Sequence, residues 1–278
     1  MTTTVSSAAL RVSKVQKVFP QPDSPTREPL QVLADVSFTV NEGEFVSVLG
    51  PSGCGKTTLA RTIIGLEPVT SGEIYIDGEP AGPPGPNRCL VFQNYGLLPW
   101  RTVQANVELA MEVQRVPKAD RRERAKKFID LVGLSGFEKR FPHQLSGGMQ
   151  QRTGLARGLA TEPRMLLMDE PFGAVDAQMR TLLQDELLRI RELTRMTVLF
   201  VTHSIDEAVY LSDRILIFSA RPGRPVAEVN VEFTKPRNDE TRSTKQFAEV
   251  RKEVSRLLHE RTDYYVGDRP VASGIHTD

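Results

Sequence analysis

Lys56 and Thr57 lie in the segment GPSGCGKTT, Gly50–Thr58, where glycines, a lysine and a hydroxyl fall at the spacing G-x-x-x-x-G-K-[ST]. Glycine lets such a loop curl until successive backbone N–H groups point inward and cradle phosphate. FVSVLG (45–50) before it reads as a buried strand, and TTLARTIIGL after it has helical spacing at Leu59, Ile63 and Leu66. In that context the helix adds its positive N-terminal end to the cradle. Gly50, Pro51, Ser52, Gly53, Cys54, Gly55 and Thr58 then wrap a nucleotide's phosphates. Lys56 reaches the β- and γ-phosphates, and Thr57 offers its hydroxyl to Mg²⁺. Lys56 is expected at the loop surface, and Cys54, at a helix start, is expected to carry a stabilised thiolate.

MLLMDE (165–170) supplies what that loop lacks, an apolar run ending in two carboxylates. Open parallel sheets bind ligands at the carboxyl ends of their strands. Asp169 is the candidate Mg²⁺ ligand, through water, and Glu170 the candidate general base for an attacking water. His203 ends TVLFVTH (197–203) and is a candidate to hydrogen-bond the γ-phosphate and that water. Gln93, in VFQNYGLLPW, closes a short apolar stretch and is a candidate to touch Mg²⁺ and water. LSGGMQQR (145–152) places a serine and two glycines ahead of a helix-like run, a second pattern suited to an anion.

The elements that must position these residues follow from periodicity. Residues 45–50, 165–170 and 197–203 read as short, continuously apolar strands, each followed by a turn or helix signal. Such strands separated by helices imply an α/β fold with a parallel sheet covered on both faces. Between the first two lies a helical region, roughly 100–160, in which KADRRERAKKFIDLVGL sets Ala125, Phe128, Ile129 and Val132 on one face. The Pro-rich stretch 20–31 reads as a loop. After about residue 235 a charged tail follows, with Phe247, Val250, Val254, Leu257 and Leu258 at the spacing of a docked helix. SIDE, Ser204–Glu207, has the form of a capping box. Gly154 and Gly158 sit inside the helix after LSGG, at about 1 kcal/mol each against alanine.

The chain has 278 residues and a net charge of +1, which points away from a nucleic-acid surface. Two cysteines make no disulfide framework or zinc spacing, as befits a reducing compartment. The first residues lack the form of a signal peptide, and no apolar run is long enough to span a bilayer. A membrane role is therefore expected to come through a partner.

In this order the motifs resemble those of the ATP-binding subunit of ABC transporters, over roughly residues 10–260. GPSGCGKTT matches Walker A, Gln93 the Q-loop, LSGGMQQR the signature, MLLMDE Walker B, GAVDA with Asp176 the D-loop, and His203 the switch; Phe19 matches the aromatic that stacks on adenine. The resemblance implies a P-loop NTPase (RecA-like) core, an N-terminal antiparallel β subdomain and an inserted helical signature subdomain. It divides the chain into 1–94 (Walker A and Q-loop), 95–160 (helical subdomain), 161–235 (Walker B, D-loop, switch) and 236–278 (terminal helix and tail). It answers the question of two anion sites: two copies stack head to tail, and Ser146, Gly147, Gly148, Gln150 and Asp176 of one face the ATP on the other's phosphate loop. ATP and Mg²⁺ are the implied cofactors. Two integral-membrane permease subunits, fed by a solute-binding protein, are the implied partners, and the chain itself is expected at the cytoplasmic side of the cell membrane.

VFQNYGLLPWRTV, DEPFGAVDA and SARPGR resemble the nitrate, sulfonate and taurine importers more narrowly. The tail, about forty residues, is too short for the further β-rich domain of sugar-type importers. Importers of bicarbonate or a pyrimidine precursor, and a soluble ABC ATPase of cluster assembly, stay as alternatives; the last lacks the LLPW and RPGR wording. Leu97, Leu98 and Trp100 suit either a permease-facing patch or the core of the helical subdomain. Ser204 stands where the family often has Asp.

Overall fold

The computed structural model describes residues 8–21, 28–92, 96–173 and 176–261. Five strands form the parallel part of the main sheet: β3 (Phe45–Leu49), β6 (Arg88–Val91), β7 (Met165–Asp169), β8 (Thr197–Thr202) and β9 (Arg214–Phe218). Antiparallel β10 (Pro225–Asn230) closes one edge, giving the order β10-β9-β3-β8-β7-β6. In β3, β7 and β8 every residue is buried, because alternate side chains enter two cores on opposite faces. Phe45, Leu49, Leu166, Met168, Val198 and Phe200 point into one. Val46, Val48, Met165, Leu167, Leu199 and Val201 point into the other.

The second core is shared with α1 (Lys56–Ile64) and with an antiparallel sheet of β1 (Ala8–Phe19), β2 (Leu30–Asn41), β4 (Ser71–Ile76) and β5 (Glu79–Pro80), ordered β2-β1-β4-β5. The first core takes α2 (Val103–Val113), α3 (Lys118–Leu131) and α4 (Gly147–Leu159), inserted between β6 and β7. It also takes α5 (Ala177–Thr194), α6 (Ile205–Leu211) and, beyond the short α7 (Asp239–Arg242), α8 (Lys245–Arg261). This is the α/β architecture expected. Ala125, Phe128, Ile129 and Val132 are buried as their spacing requires. Phe247, Val254 and Leu258 bury α8 against α6 and β10, with the Phe233 and Phe247 rings 5.8 Å apart.

Several expectations need correction. Leu66 is not part of the α1 face: Gly65, at φ 86, ends the helix, and Leu66 is exposed. A side chain at Gly65 would strike the Gly82 carbonyl at 2.4 Å, so the stop is enforced by packing. The loop assigned to 20–31 ends sooner, because Leu30 and Gln31 already pair with Phe19 and Val18. The reciprocal capping box at Ser204 is half formed. Ser204 Oγ accepts the Glu207 N–H, but the Glu207 carboxylate turns inward to Thr202. Gly158 has a packing reason: a Cβ there would lie 2.9 Å from Cys89 Sγ, so the glycine lets α4 approach β6.

Candidate functional site

The parallel strands β3, β7 and β8 end side by side, with Leu49 opposite Thr202 and Asp169 opposite Val201. That register brings three sequence-distant groups together. After β3 the chain curls through Gly53 (φ 75) and Gly55 (φ 106), a left-handed backbone that a larger residue resists. Gly55 also has no room for a side chain, since a Cβ would meet Val32 Cγ1 at 2.9 Å. The loop delivers Lys56 and Thr57 as the first residues of α1.

Lys56 is buried, 4% exposed, contrary to the surface position expected. Its ammonium donates to the carbonyls of Gly50 (2.8 Å) and Pro51 (3.0 Å) and lies 3.8 Å from Glu170 Oε1. The long apolar stem makes this possible, by threading through the loop while the head finds acceptors. Thr57 Oγ1 donates to Asp169 Oδ1 at 3.1 Å. Burial pushes the Asp169 carboxyl above its ordinary value, with the Thr57 hydroxyl pulling the other way.

Glu170 follows with φ 46, unusual for a residue with a side chain. The surroundings over-determine it: its N–H donates to Val201 O at 2.9 Å, its carbonyl accepts from Gly173 N–H at 3.2 Å, and Phe172 is buried against Phe200. The turn aims the carboxylate across to His203, whose Nδ1 lies 3.1 Å from Glu170 Oε2. Lys56, Thr57, Asp169, Glu170 and His203 therefore form one constellation. A hydroxyl beside a buried carboxylate is a hard-oxygen donor set that fits Mg²⁺. Gln93 lies outside the described residues.

Cys54 departs from expectation. It is buried, 1% exposed, and burial pushes its thiol up, outweighing Lys56 and the backbone N–H groups. Burial thus disfavours the thiolate expected at a helix start, and Cys54 packs beneath the loop. Phe19, at the end of β1, is half-buried, with the Lys17 ammonium 4.6 Å from its ring centroid. Lys17 itself is tied to Pro68 O (2.8 Å) and Glu67 (3.3 Å), a backing no motif announces.

The second candidate anion site is elsewhere. Ser146 caps α4, its hydroxyl accepting the Met149 N–H at 3.3 Å, with Ser146 and Gly147 exposed and Gly148 buried. α4 packs on α2, α3, α5 and β6, whereas α1 packs on β2, β6, β7 and β8. The Gln150 amide donates to Pro142 O (3.0 Å) and Leu145 O (3.3 Å), holding the turn before the helix. Asp176 is exposed and caps α5 by accepting the Met179 N–H at 2.9 Å. Sequence reasoning missed Arg221, whose Nε and a terminal nitrogen both donate to Gly53 O at 3.1 Å from the β9–β10 loop. It gave Glu207 a capping role only and did not single out Arg180, whose Nε lies 3.7 Å from Glu207 Oε1.

Trp100 is exposed, 71%, while Leu97 and Leu98 are half-buried. The buried Asn106 holds this turn: its side chain accepts the Leu98 N–H (2.8 Å) and donates to Leu98 O (3.1 Å), Arg101 O (2.9 Å) and Thr102 O (3.1 Å).

Residues 33–173 match the ABC transporter family. An uncharacterised ABC transporter ATP-binding protein of Methanocaldococcus jannaschii is 49% identical over 249 residues, covering 90% of this chain and 91% of that protein. A nitrate import ATP-binding protein of Synechococcus elongatus is 42% identical over 262 residues (93% and 94%). A taurine import ATP-binding protein of Rhizobium johnstonii is 45% identical over 239 residues (84% and 91%). Among solved structures, a dimeric bacterial ABC transporter cassette superposes with a TM-score of 0.71 at 32% identity, covering 81% of this chain and all of that one.

Proposed function

The chain belongs to the ABC transporter ATP-binding family, and from that premise we propose that it is the ATP-hydrolysing, energy-coupling subunit of an importer for nitrate, a sulfonate, taurine or a related small solute. The observation that carries the reading is the convergence of Lys56, Thr57, Asp169, Glu170 and His203 at the ends of three adjacent strands. The phosphate loop Gly50–Thr58 binds the ATP phosphates, with Phe19 against the adenine. Thr57 and Asp169, with Gln93, hold Mg²⁺, which neutralises phosphate charge when bound. Lys56 exchanges its carbonyl partners for phosphate oxygens. Glu170 accepts a proton from water as the water oxygen bonds to the γ-phosphorus. The bond from that phosphorus to the bridging oxygen breaks, leaving ADP and phosphate. His203 orients Glu170 and the water.

A second copy completes the site. Ser146, Gly147, Gly148 and Asp176 of one chain face the ATP held by the other, and the exposure of Ser146, Gly147 and Asp176 supports this. Gln150 acts by shaping the signature turn. Loss of the γ-phosphate removes contacts that join the two copies, and the change in separation drives two permease subunits served by a solute-binding protein. No helix among the described residues is long and apolar enough to cross a membrane; in this reading the chain works from the cytoplasmic face through those subunits. Trp100, Leu97 and Leu98 form the surface offered to them.

Glu170→Gln tests the reading. The amide keeps the shape but takes no proton, so ATP hydrolysis should fall by about 10²–10⁴. ATP should still bind, and the variant should elute as an ATP-dependent dimer. Near-normal turnover would remove Glu170 from the role of base.

A further inference from the structure

Three motif-bearing segments meet at the first turn of α5. Asp176 caps that turn. Met179 lies against the signature helix so closely that a Cβ on Gly148 would stand 2.6 Å from its Cγ. Arg180, the next residue, places its Nε 3.7 Å from Glu207 Oε1. Glu207 is buried, 6% exposed, and its other oxygen accepts the Thr202 hydroxyl at 2.6 Å. The same Thr202 oxygen accepts the Ser204 N–H at 3.0 Å. A hydroxyl whose proton is committed to Glu207 turns its lone pairs to Ser204, so the carboxylate fixes the rotor and the rotor fixes the backbone on either side of His203. His203 in turn meets Glu170 at 3.1 Å.

We propose that Arg180 and Glu207 are a positioning pair, which ties the start of α5, and with it Asp176 and the signature helix, to the orientation of His203 against Glu170. The proposal rests on the ATPase reading above. Neither residue reaches the reacting atoms. A glutamine at 207 could accept the same Thr202 hydrogen bond without a buried charge. Burial does push the Glu207 carboxyl up, with Thr202 and Arg180 opposing, so the charge is held at a cost to the fold. What the charge adds is the link to Arg180. Because α5 begins at the partner-facing Asp176, movement of that turn on docking a second copy is passed to His203 through the 3.7 Å ionic contact of Arg180 with Glu207. Hydrolysis is thereby matched to the closed arrangement.

The test uses the full chain with Mg-ATP and the variants Glu207→Gln, Arg180→Gln, both together, and Arg180→Lys. Each Gln variant should lower kcat about tenfold while ATP affinity stays within roughly twofold, since an interaction felt only at the transition state lowers kcat without weakening binding. The double variant should be no slower than either single, because both remove one contact. Arg180→Lys should recover most of the rate. Glu207→Gln should melt no lower than wild type. Affinity falling in step with kcat, additive losses in the double variant, or unchanged kcat in both singles would each overturn the pair. Glu170→Gln is the control. If it is inactive while the pair variants turn over normally, only this inference falls; if it stays active, the ATPase assignment of the site falls first.

Discussion

Replacing Lys56 separates the role the structure gives its side chain, filling the loop, from the one proposed for it, binding phosphate. Its burial of 4% and two carbonyl contacts set the magnitudes. Burying an ammonium costs several kcal/mol, and two charged hydrogen bonds return about 1.5–3 kcal/mol each, so the head group is close to neutral for the fold. The stem is not. Lys56→Ala deletes three methylenes, at about 0.8 kcal/mol each, or about 2 kcal/mol in all. For a chain of this size that lowers the melting midpoint by about 4–6 °C. Lys56→Met keeps most of the stem and should melt close to wild type. Thermal melts with and without Mg-ATP give both answers. At roughly a hundredfold excess over Kd, ATP stabilises a binding-competent fold by about 2.7 kcal/mol, so wild type should shift upward and neither variant should. An Ala variant as stable as wild type would refute the buried stem. A Met variant that loses as much as Ala would show that the hydrogen bonds dominate. ATP-induced stabilisation of either variant would refute the phosphate role.

Asp169→Asn is expected to abolish Mg²⁺-dependent hydrolysis yet stabilise the nucleotide-free fold. Burial raises the Asp169 pKa, so its contribution is full below the unfolded value and is lost as pH rises through the folded one. The midpoint gain of the variant should therefore grow as pH rises above the ordinary aspartate value of about 4. Asp213 has the opposite sign. Burial pushes it up, but Arg191, the Phe45 N–H and Lys235 outweigh that and hold it below its ordinary value. Its stability is present above the unfolded pKa and lost as pH falls through the folded one. Asp213→Asn, which strands the buried Arg191 and Arg237, should cost about 3 kcal/mol at neutral pH and progressively less in acid. Gly158→Ala gains about 1 kcal/mol of helix propensity but meets Cys89 Sγ at 2.9 Å, an overpacking that costs about 1–3 kcal/mol. It should be less stable than wild type, and Cys89→Ala in the same chain should restore the difference, as read by urea unfolding.

The phosphate loop, the two carboxylates and His203 were legible in the sequence because their chemistry depends on order along short segments, and strand ends in a parallel sheet bring such segments together. The three fully buried strands were legible as continuous apolar runs. β9 went unread, although RILIF is as apolar, because no chemical group at its end marks it. Lys56, Cys54 and Glu207 were misjudged for one reason. Local rules place a lysine outside, a thiol at a helix start in its ionised form and a glutamate at a third helical position on a cap. Each was overruled by what the fold packs around it: two carbonyls, a covering of apolar side chains, and the Thr202 hydroxyl. The antiparallel sheet followed only from the family resemblance, since its alternation is interrupted by register shifts within β1.

Trp100 is the sole tryptophan of the chain, and it stands exposed on a turn fastened by Asn106. Indole emission from this protein therefore originates at one surface point on the helical insertion. Its colour and its quenching by iodide report the wetness of that point alone. Occupancy of the surface can thus be followed optically, with no label, while the phosphate loop Gly50–Thr58, which holds no aromatic residue, contributes nothing to the signal.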